Sequence, residues 1–438
     1  MHRRLIIVLA SNLLLAMGMA VPALAGGTTQ RVSVRPNGVQ ANSASFQSAI
    51  SAGGRFVAFA SDASNLVPGD TNGVTDVFVR DRLTGVIERI SVAGSGAQSD
   101  NTSENAVISA GGNVVAFQSS ASTLVPGDTN GTWDIFVRDR RAGSISRVSV
   151  GPGGVQANGG SAEPTISADG RFVAFSSEAT NLVPGTTGFG NVYVRDRRAG
   201  TTELVSVASN HLGEHDGAGA KISANGRFVA FRSNAGLVPE DTNGISDVFV
   251  RDRVRGTTER VSIGSDRTQA NAYSEALAIS GNGRFVVFWS LADNLVPGDT
   301  NGIEDIFVHD RLNGTTELVS VGPNGNHSNG HEGDVASIST NGRFVAFQSS
   351  ATNFVPGTSY FGDVYVRDIL NNTTQLASIG TNGMHANGNC DYPAISPLGR
   401  FVTFSSSASN LVPGDTNETW DVFVRDRGGP FAIVAGHP

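Results

Sequence analysis

The residues best suited to chemistry recur in one short phrase, Asp-x-Asn-Gly-x-x-Asp. It reads Asp70, Asn72, Gly73, Asp76 at its first appearance and Asp128, Asn130, Gly131, Asp134 at its second. It returns as Asp241, Asn243, Gly244, Asp247 and as Asp299, Asn301, Gly302, Asp305. A last copy keeps Asp415, Asn417 and Asp421 but has Glu418 at the glycine. Alternate acidic side chains followed by glycine let a loop fold back and aim several oxygens at one hard cation, which makes Ca2+ the candidate ligand beside the plainer reading of structural turns. The spacing is shorter than an EF-hand loop and lacks its distal glutamate. The same residue types also cap their own turns by side-chain to backbone hydrogen bonds, which needs no ion.

Histidines form a second group. His211 and His215 share the spacing His-x-x-x-His with His327 and His331, and His385 follows. Glu214, Asp216, Glu332 and Asp334 stand nearby in sequence. Imidazoles with carboxylates suit a transition metal or general acid–base work. In glycine-rich loops this spacing does not force the rings together, and solvated loop histidines are the plainer reading. Aromatic residues form a third group: Trp133, Trp289, Trp420, Tyr360 and Phe361. Such platforms stack on sugar rings or grip a peptide, unless they only pack between neighbouring loops.

What positions these groups is a repeat. The phrase Ile-Ser-x-x-Gly-Arg-Phe-Val-Ala-Phe starts at Ile50 and returns, with small changes, at Ile108, Ile166, Ile222, Ile279, Ile338 and Ile395. A period near 57 residues means stacked supersecondary units, none able to bury its apolar face alone. One copy reads as four strands. Residues 164–167 and 172–175 flank an Asp-Gly turn at Asp169-Gly170, a long loop leads to 191–195, and 203–207 complete the unit. The second strand is apolar on both pleat faces, which suits a sheet covered on both sides. The predicted fold is therefore all-β, a seven-bladed β-propeller of four-stranded antiparallel blades. The seventh copy runs out after Asp421–Arg427, while a spare strand, Arg31–Val34, precedes the first. Pairing the two closes the ring and removes two exposed edges; Phe431–Val434 is the competing last strand.

Bulk properties narrow the rest. The chain has 438 residues, 54 of them glycine, and a formal charge of −8 with a single lysine, Lys221. That balance offers nothing to a phosphate backbone, so nucleic acid is not an expected partner. Residues 1–25 read as a signal peptide: Arg3 and Arg4, an apolar run, then Ala23-Leu24-Ala25. The expected protein is exported, periplasmic or extracellular, with one propeller domain over 26–438. No membrane span is expected after removal of the signal, and the protein is expected to be a monomer. Cys390 is the one cysteine, so no internal disulfide forms.

The run Ile-Ser-Ala-Asp-Gly-Arg-Phe-Val-Ala-Phe at Ile166, followed by Val-Tyr-Val-Arg-Asp at Val192, resembles the PD40 (WD40-like) repeats of TolB-like β-propellers. The likeness spans about residues 31–427 and lacks the N-terminal α/β domain of TolB. It implies a propeller and leaves the activity open. Alternating strand direction gathers the long loops, and with them all three groups, on one face. The first expectation is a binding or scaffold module for a protein or carbohydrate. The alternative is a metal-dependent carbohydrate-active enzyme, because some PD40-type propellers are pectin-fragment lyases with a metal and a histidine. That alternative assigns His211, His215, His327, His331 and His385 to the catalytic centre.

Overall fold

The computed structural model describes residues 27–186, 190–209, 216–358 and 360–428. The segment 1–25, His211, His215 and Phe431–Val434 lie outside the described residues. Within them, twenty-eight strands form seven sheets of four. In the third blade the order is Ser161–Ile166, Phe172–Ser177, Asn191–Asp196, Thr201–Leu204, all antiparallel. The ring closes as the repeat requires: Thr28–Arg31 pairs antiparallel with Asp421–Asp426, the last strand of the seventh copy. Among the described residues no helix is long and apolar enough to cross a membrane.

Outer strands end earlier than the sequence suggests. The closing strand is Thr28–Arg31 instead of 31–34, and the third blade's outer strand is Thr201–Leu204 instead of 203–207. The serine two residues beyond the outer strand's last residue is the cause. Its hydroxyl takes over from the ladder: Ser91 Oγ accepts the Val77 backbone N–H at 3.1 Å and donates to Asp76. Ser33 does the same for Val422 and Asp421 across the ring closure. These bonds fix the first residue of the third strand, which is the second aspartate of the acidic phrase.

Packing explains the repeat's apolar letters. Phe59 stacks on Phe78 inside the first blade, with centroids 5.9 Å apart, and Phe117 stacks on Phe136 in the second. Each such buried ring contributes about 1.5–3 kcal/mol. Between blades, the Phe56 ring lies between Arg55 of its own blade, 4.8 Å away, and Arg140 of the next, 4.6 Å away. Gly112, in the next blade's first turn, lies against that ring at φ +73°, and a Cβ there would come within 2.2 Å of it. The turn glycine is thus required by both conformation and space.

The Arg-Asp-Arg runs do more than the surface pairing their sequence suggests. Asp81 accepts both Nε and Nη2 of Arg55, at 2.9 and 2.7 Å. Arg80 is buried and donates to the Val34 carbonyl. Arg82 donates to the Gly54 carbonyl at 2.6 Å and covers the Phe401 ring of the seventh blade. Cys390 is fully buried against Ser406 Oγ, and burial pushes its thiol up to about 12.

Candidate functional site

The acidic phrase lies in the loop between second and third strands and ends on the third strand's first residue. In the first blade Arg89, last residue of the outer strand, reaches back between the two aspartates. Its Nη1 is 2.9 Å from Asp70 and 3.2 Å from Asp76. Asn72 Nδ2 donates to Asp76 at 2.9 Å, and Gln98 Oε1 accepts from Arg89 at 2.9 Å. The second blade repeats the triad with Arg147, 3.0 Å from Asp128 and 3.3 Å from Asp134. In the fourth, Arg260 lies 3.4 Å from Asp241 and 3.2 Å from Asp247. In the seventh, Arg31 lies 2.8 Å from Asp415 and 3.2 Å from Asp421. In these four blades a guanidinium stands where a cation would neutralise the carboxylates.

Blades 3 and 6 lack the first aspartate, having Thr186 and Thr358, and they also lack the arginine, having Leu204 and Leu376. Blade 5 breaks this correspondence. It keeps Asp299, Asn301 and Asp305, yet Leu318 occupies the arginine's register position opposite Phe307. His327 occupies the glutamine's position, forming the bridge with Val321 that Gln98 forms with Val92. Asp305 is fully buried and Asp299 nearly so. Asp305 accepts Ser320 Oγ at 2.6 Å and Asn301 Nδ2 at 2.8 Å. Asp299 keeps the backbone N–H of Asn301 and the electrostatic influence of His327. The nearest His327 atom, Nδ1, lies 3.7 Å from Asp299 Oδ1 and has no hydrogen-bond partner. One potential ligand atom from each of Asp299, Asp305 and His327 falls within 4.8 Å of the others. Burial pushes the Asp305 carboxyl up to about 6.

The other described histidines, His331, His385 and His309, each have a separate local partner. His331 is exposed and its Nδ1 meets Glu304 at 2.8 Å, while His385 Nδ1 meets the Gly357 carbonyl at 3.0 Å. His309, in place of an arginine, is buried beside Thr316, and burial lowers it to about 4, so it is neutral. Sequence reasoning missed Arg31, Arg89, Arg147 and Arg260. Their signal was legible: the outer strand ends Arg-Val-Ser or Arg-Ile-Ser where the acidic phrase has both aspartates, and Leu-Val-Ser or Leu-Ala-Ser where the first is missing, except in blade 5.

The first strands of all seven blades surround a central channel of about 490 Å³. Each carries a register shift, and at four of these shifts a non-glycine residue lines the channel with positive φ: Gln47 at 52°, Asn105 at 52°, Glu163 at 55° and Tyr392 at 51°. Glu275, Asp334 and Lys221 also face the channel. Gln47 Oε1 accepts the Asn105 backbone N–H at 3.1 Å, so the lining is tied from blade to blade. None of Trp133, Trp289, Trp420, Tyr360 and Phe361 lines it. Trp289 packs edge-on against Tyr273 at 5.5 Å, whose hydroxyl donates to Glu275 at 2.8 Å. Trp133 and Trp420 are half-buried, and Tyr360 is 82% exposed with Phe361 beside it.

No family model matches the chain, and no curated protein matches it either. Solved structures do. An oligogalacturonate lyase in complex with manganese superposes with a TM-score of 0.55 at 13% identity, covering 92% of this chain and 94% of that one. The β-propeller domain of the Trilobed protease from Pyrococcus furiosus gives 0.50 at 11% identity, covering 87% and 95%. TolB from Acinetobacter baumannii gives 0.40 at 14% identity over 81% and 77%, too distant to carry an argument. At these identities the likeness establishes the fold alone, and that fold is a seven-bladed β-propeller closed by its first strand.

Proposed function

We propose that the protein is a binding module that takes a neutral, hydroxyl-rich chain such as a glycan at its central channel and long-loop face. The observation that carries this is the channel's unspent hydrogen-bonding capacity. The side chains of Asn105, Lys221, Asp334 and Tyr392 line it and donate or accept no hydrogen bond within the described protein. Asn105 and Tyr392 are held there in a left-handed conformation that costs about 1–3 kcal/mol, the kind of strain that clusters at binding sites. Exposed Tyr360 and Phe361 on the sixth blade's long loop extend the same surface with stacking area. Export fits this role, as residues 1–25 suggest.

Charge bears on the alternative, a metal-dependent lyase. Glu163, Glu275 and Asp334 face a single Lys221 across the channel. Arg232 pairs with Glu275 at 3.4 Å, so three carboxylates stand against two cations, a balance that still disfavours an acidic polyuronate. The test is a pair of arrays, glycan and peptide, probed with wild type and with Tyr392→Ala. Glycan binding weakened tenfold or more by the substitution, at nearly unchanged Tm, supports the reading. Binding confined to peptides, no binding at all, or binding indifferent to Tyr392 overturns it. Release of unsaturated sugar products would establish the lyase instead.

A further inference from the structure

We propose that the fifth blade holds one divalent transition-metal ion, of the zinc or manganese kind, between Asp299, Asp305 and His327. Four sister blades show how this fold treats the same pair of buried aspartates: each places an arginine between them and a glutamine beside the arginine. Blade 5 loses both, to Leu318 and His327, and keeps the aspartates. Blades 3 and 6, which also have leucine, have given up the first aspartate. A buried carboxylate pair stripped of its cation is strongly destabilising unless another positive charge replaces it. No arginine or lysine pairs with Asp299 or Asp305 among the described residues; the nearest candidate is His327 itself.

Two further observations point to a ligand. His327 Nδ1 is buried and without a partner, although Asp299 Oδ1 is 3.7 Å away. That is too far for a hydrogen bond and close enough for both atoms to share an ion. Glu332, which replaces the serine found at Ser45, Ser103, Ser161 and Ser274, is 6% exposed. Its Oε1 accepts the Ser349 hydroxyl at 3.1 Å, while its Oε2 has only the Ser328 hydroxyl beside it, which donates to the Gly330 carbonyl. Among the described residues the sector therefore contains three buried carboxylates and no arginine or lysine paired with them, a charge that a divalent ion would relieve. Two carboxylate oxygens and one imidazole nitrogen form a mixed donor set. It suits zinc or manganese better than calcium, which takes oxygen ligands throughout. The three atoms already lie within 4.8 Å of one another, and bonds of about 2.0–2.2 Å require them to close up further around the ion.

The experiment is calorimetric titration of EDTA-treated, dialysed full-length protein with ZnCl2, MnCl2 and CaCl2, with Tm measured in parallel. Wild type should bind one zinc or manganese ion per chain and gain several degrees. The double variant Leu318→Arg/His327→Gln rebuilds the sister-blade pattern. It should lose the ion-dependent Tm rise and bind at least tenfold more weakly, while its metal-free Tm is no lower than that of wild type. Should that variant not fold, Asp299→Asn alone should show the same loss of binding. No binding by wild type at millimolar ion overturns the proposal, as does equal binding by the variants. Calcium binding indifferent to His327→Gln overturns it too, since the imidazole would then be no ligand.

Discussion

The first and fifth blades solve the same electrostatic problem differently. Both bring two aspartates into a buried loop beneath the same face. In the first, Arg89 lies between Asp70 and Asp76 with Gln98 holding its other side. In the fifth, Leu318 and His327 leave Asp299 and Asp305 without a guanidinium. The difference teaches that the acidic phrase caps its own turn in either setting, as Asn130 and Asn301 Oδ1 accept the Thr132 and Ile303 backbone N–H groups, while what stands beside its carboxylates varies. Its role is decided by a residue on the next strand, at the register position opposite the stacked aromatic ring.

The comparison breaks hardest at Arg89. Arg89→Leu would leave two carboxylates buried and unpaired, and should cost about 3–5 kcal/mol in urea unfolding at neutral pH. Adding Gln98→His should then confer on blade 1 a zinc- or manganese-dependent rise in Tm that wild-type blade 1 lacks. A loss below about 1 kcal/mol for the single substitution would mean that the arginine is dispensable. Blade 5 would then pose no problem that an ion must solve.

The fold was readable because its signals are local and repeated seven times. Alternation, Asp-Gly turns and the spare Arg31–Val34 segment are properties of neighbouring residues, and they predicted blade count and ring closure. The strand ends were not, because Ser33 and Ser91 trade ladder bonds for bonds to aspartates some 390 and 15 residues away. The site was half readable. Asp299 and His327 were each picked out, but as members of different groups, calcium ligands and catalytic histidines. What unites them is a cross-strand register that places residue 327 beside residue 299. What gives them meaning is Leu318, an apolar residue that draws no notice in a search for chemistry.

A middle-sized effect separates the third and sixth blades. Both have threonine and leucine at the outer positions, but the third strand opens with Asn191 in one and with Asp363 in the other. Burial pushes the Asp363 carboxyl up to about 6. A folded-state value above the unfolded one of about 4 favours the protonated form. The associated stability is therefore full below pH 4 and lost as pH rises through 6. Asp363→Asn, which copies the third blade and the Ser206–Asn191 bond at 3.1 Å, should stabilise by about 1–3 kcal/mol at pH 7. The gain should vanish by pH 4. A variant less stable than wild type at pH 7 would show that the ionised Asp363 makes a favourable contact that the sixth blade needs.

The smallest effect lies on the opposite face, where the clamping arginine is exposed although its aspartate is not: the Arg171 side chain is 39% exposed, that of Arg89 9%. Arg171 clamps Asp196 at 2.9 and 2.6 Å, and its hydrogen bonds hold the carboxyl down to about 2. The second blade omits this clamp: Asn113 stands in the arginine's place, and Asp139 accepts the backbone N–H groups of Arg141 and Ala142. Because the folded value is depressed, the clamp's contribution is present above about pH 4 and lost as pH falls towards 2. Arg171→Asn should therefore lower Tm slightly at pH 7, with the gap closing between pH 4 and 2. Asn113→Arg should do the reverse in the second blade. Molar salt should shrink both differences, since exposed charges are screened, and should leave the Arg89→Leu deficit largely intact. If the exposed clamp resisted salt as well as the buried triad does, burial would not be what separates the two faces. The case for an ion beside Leu318 would then lose its electrostatic premise.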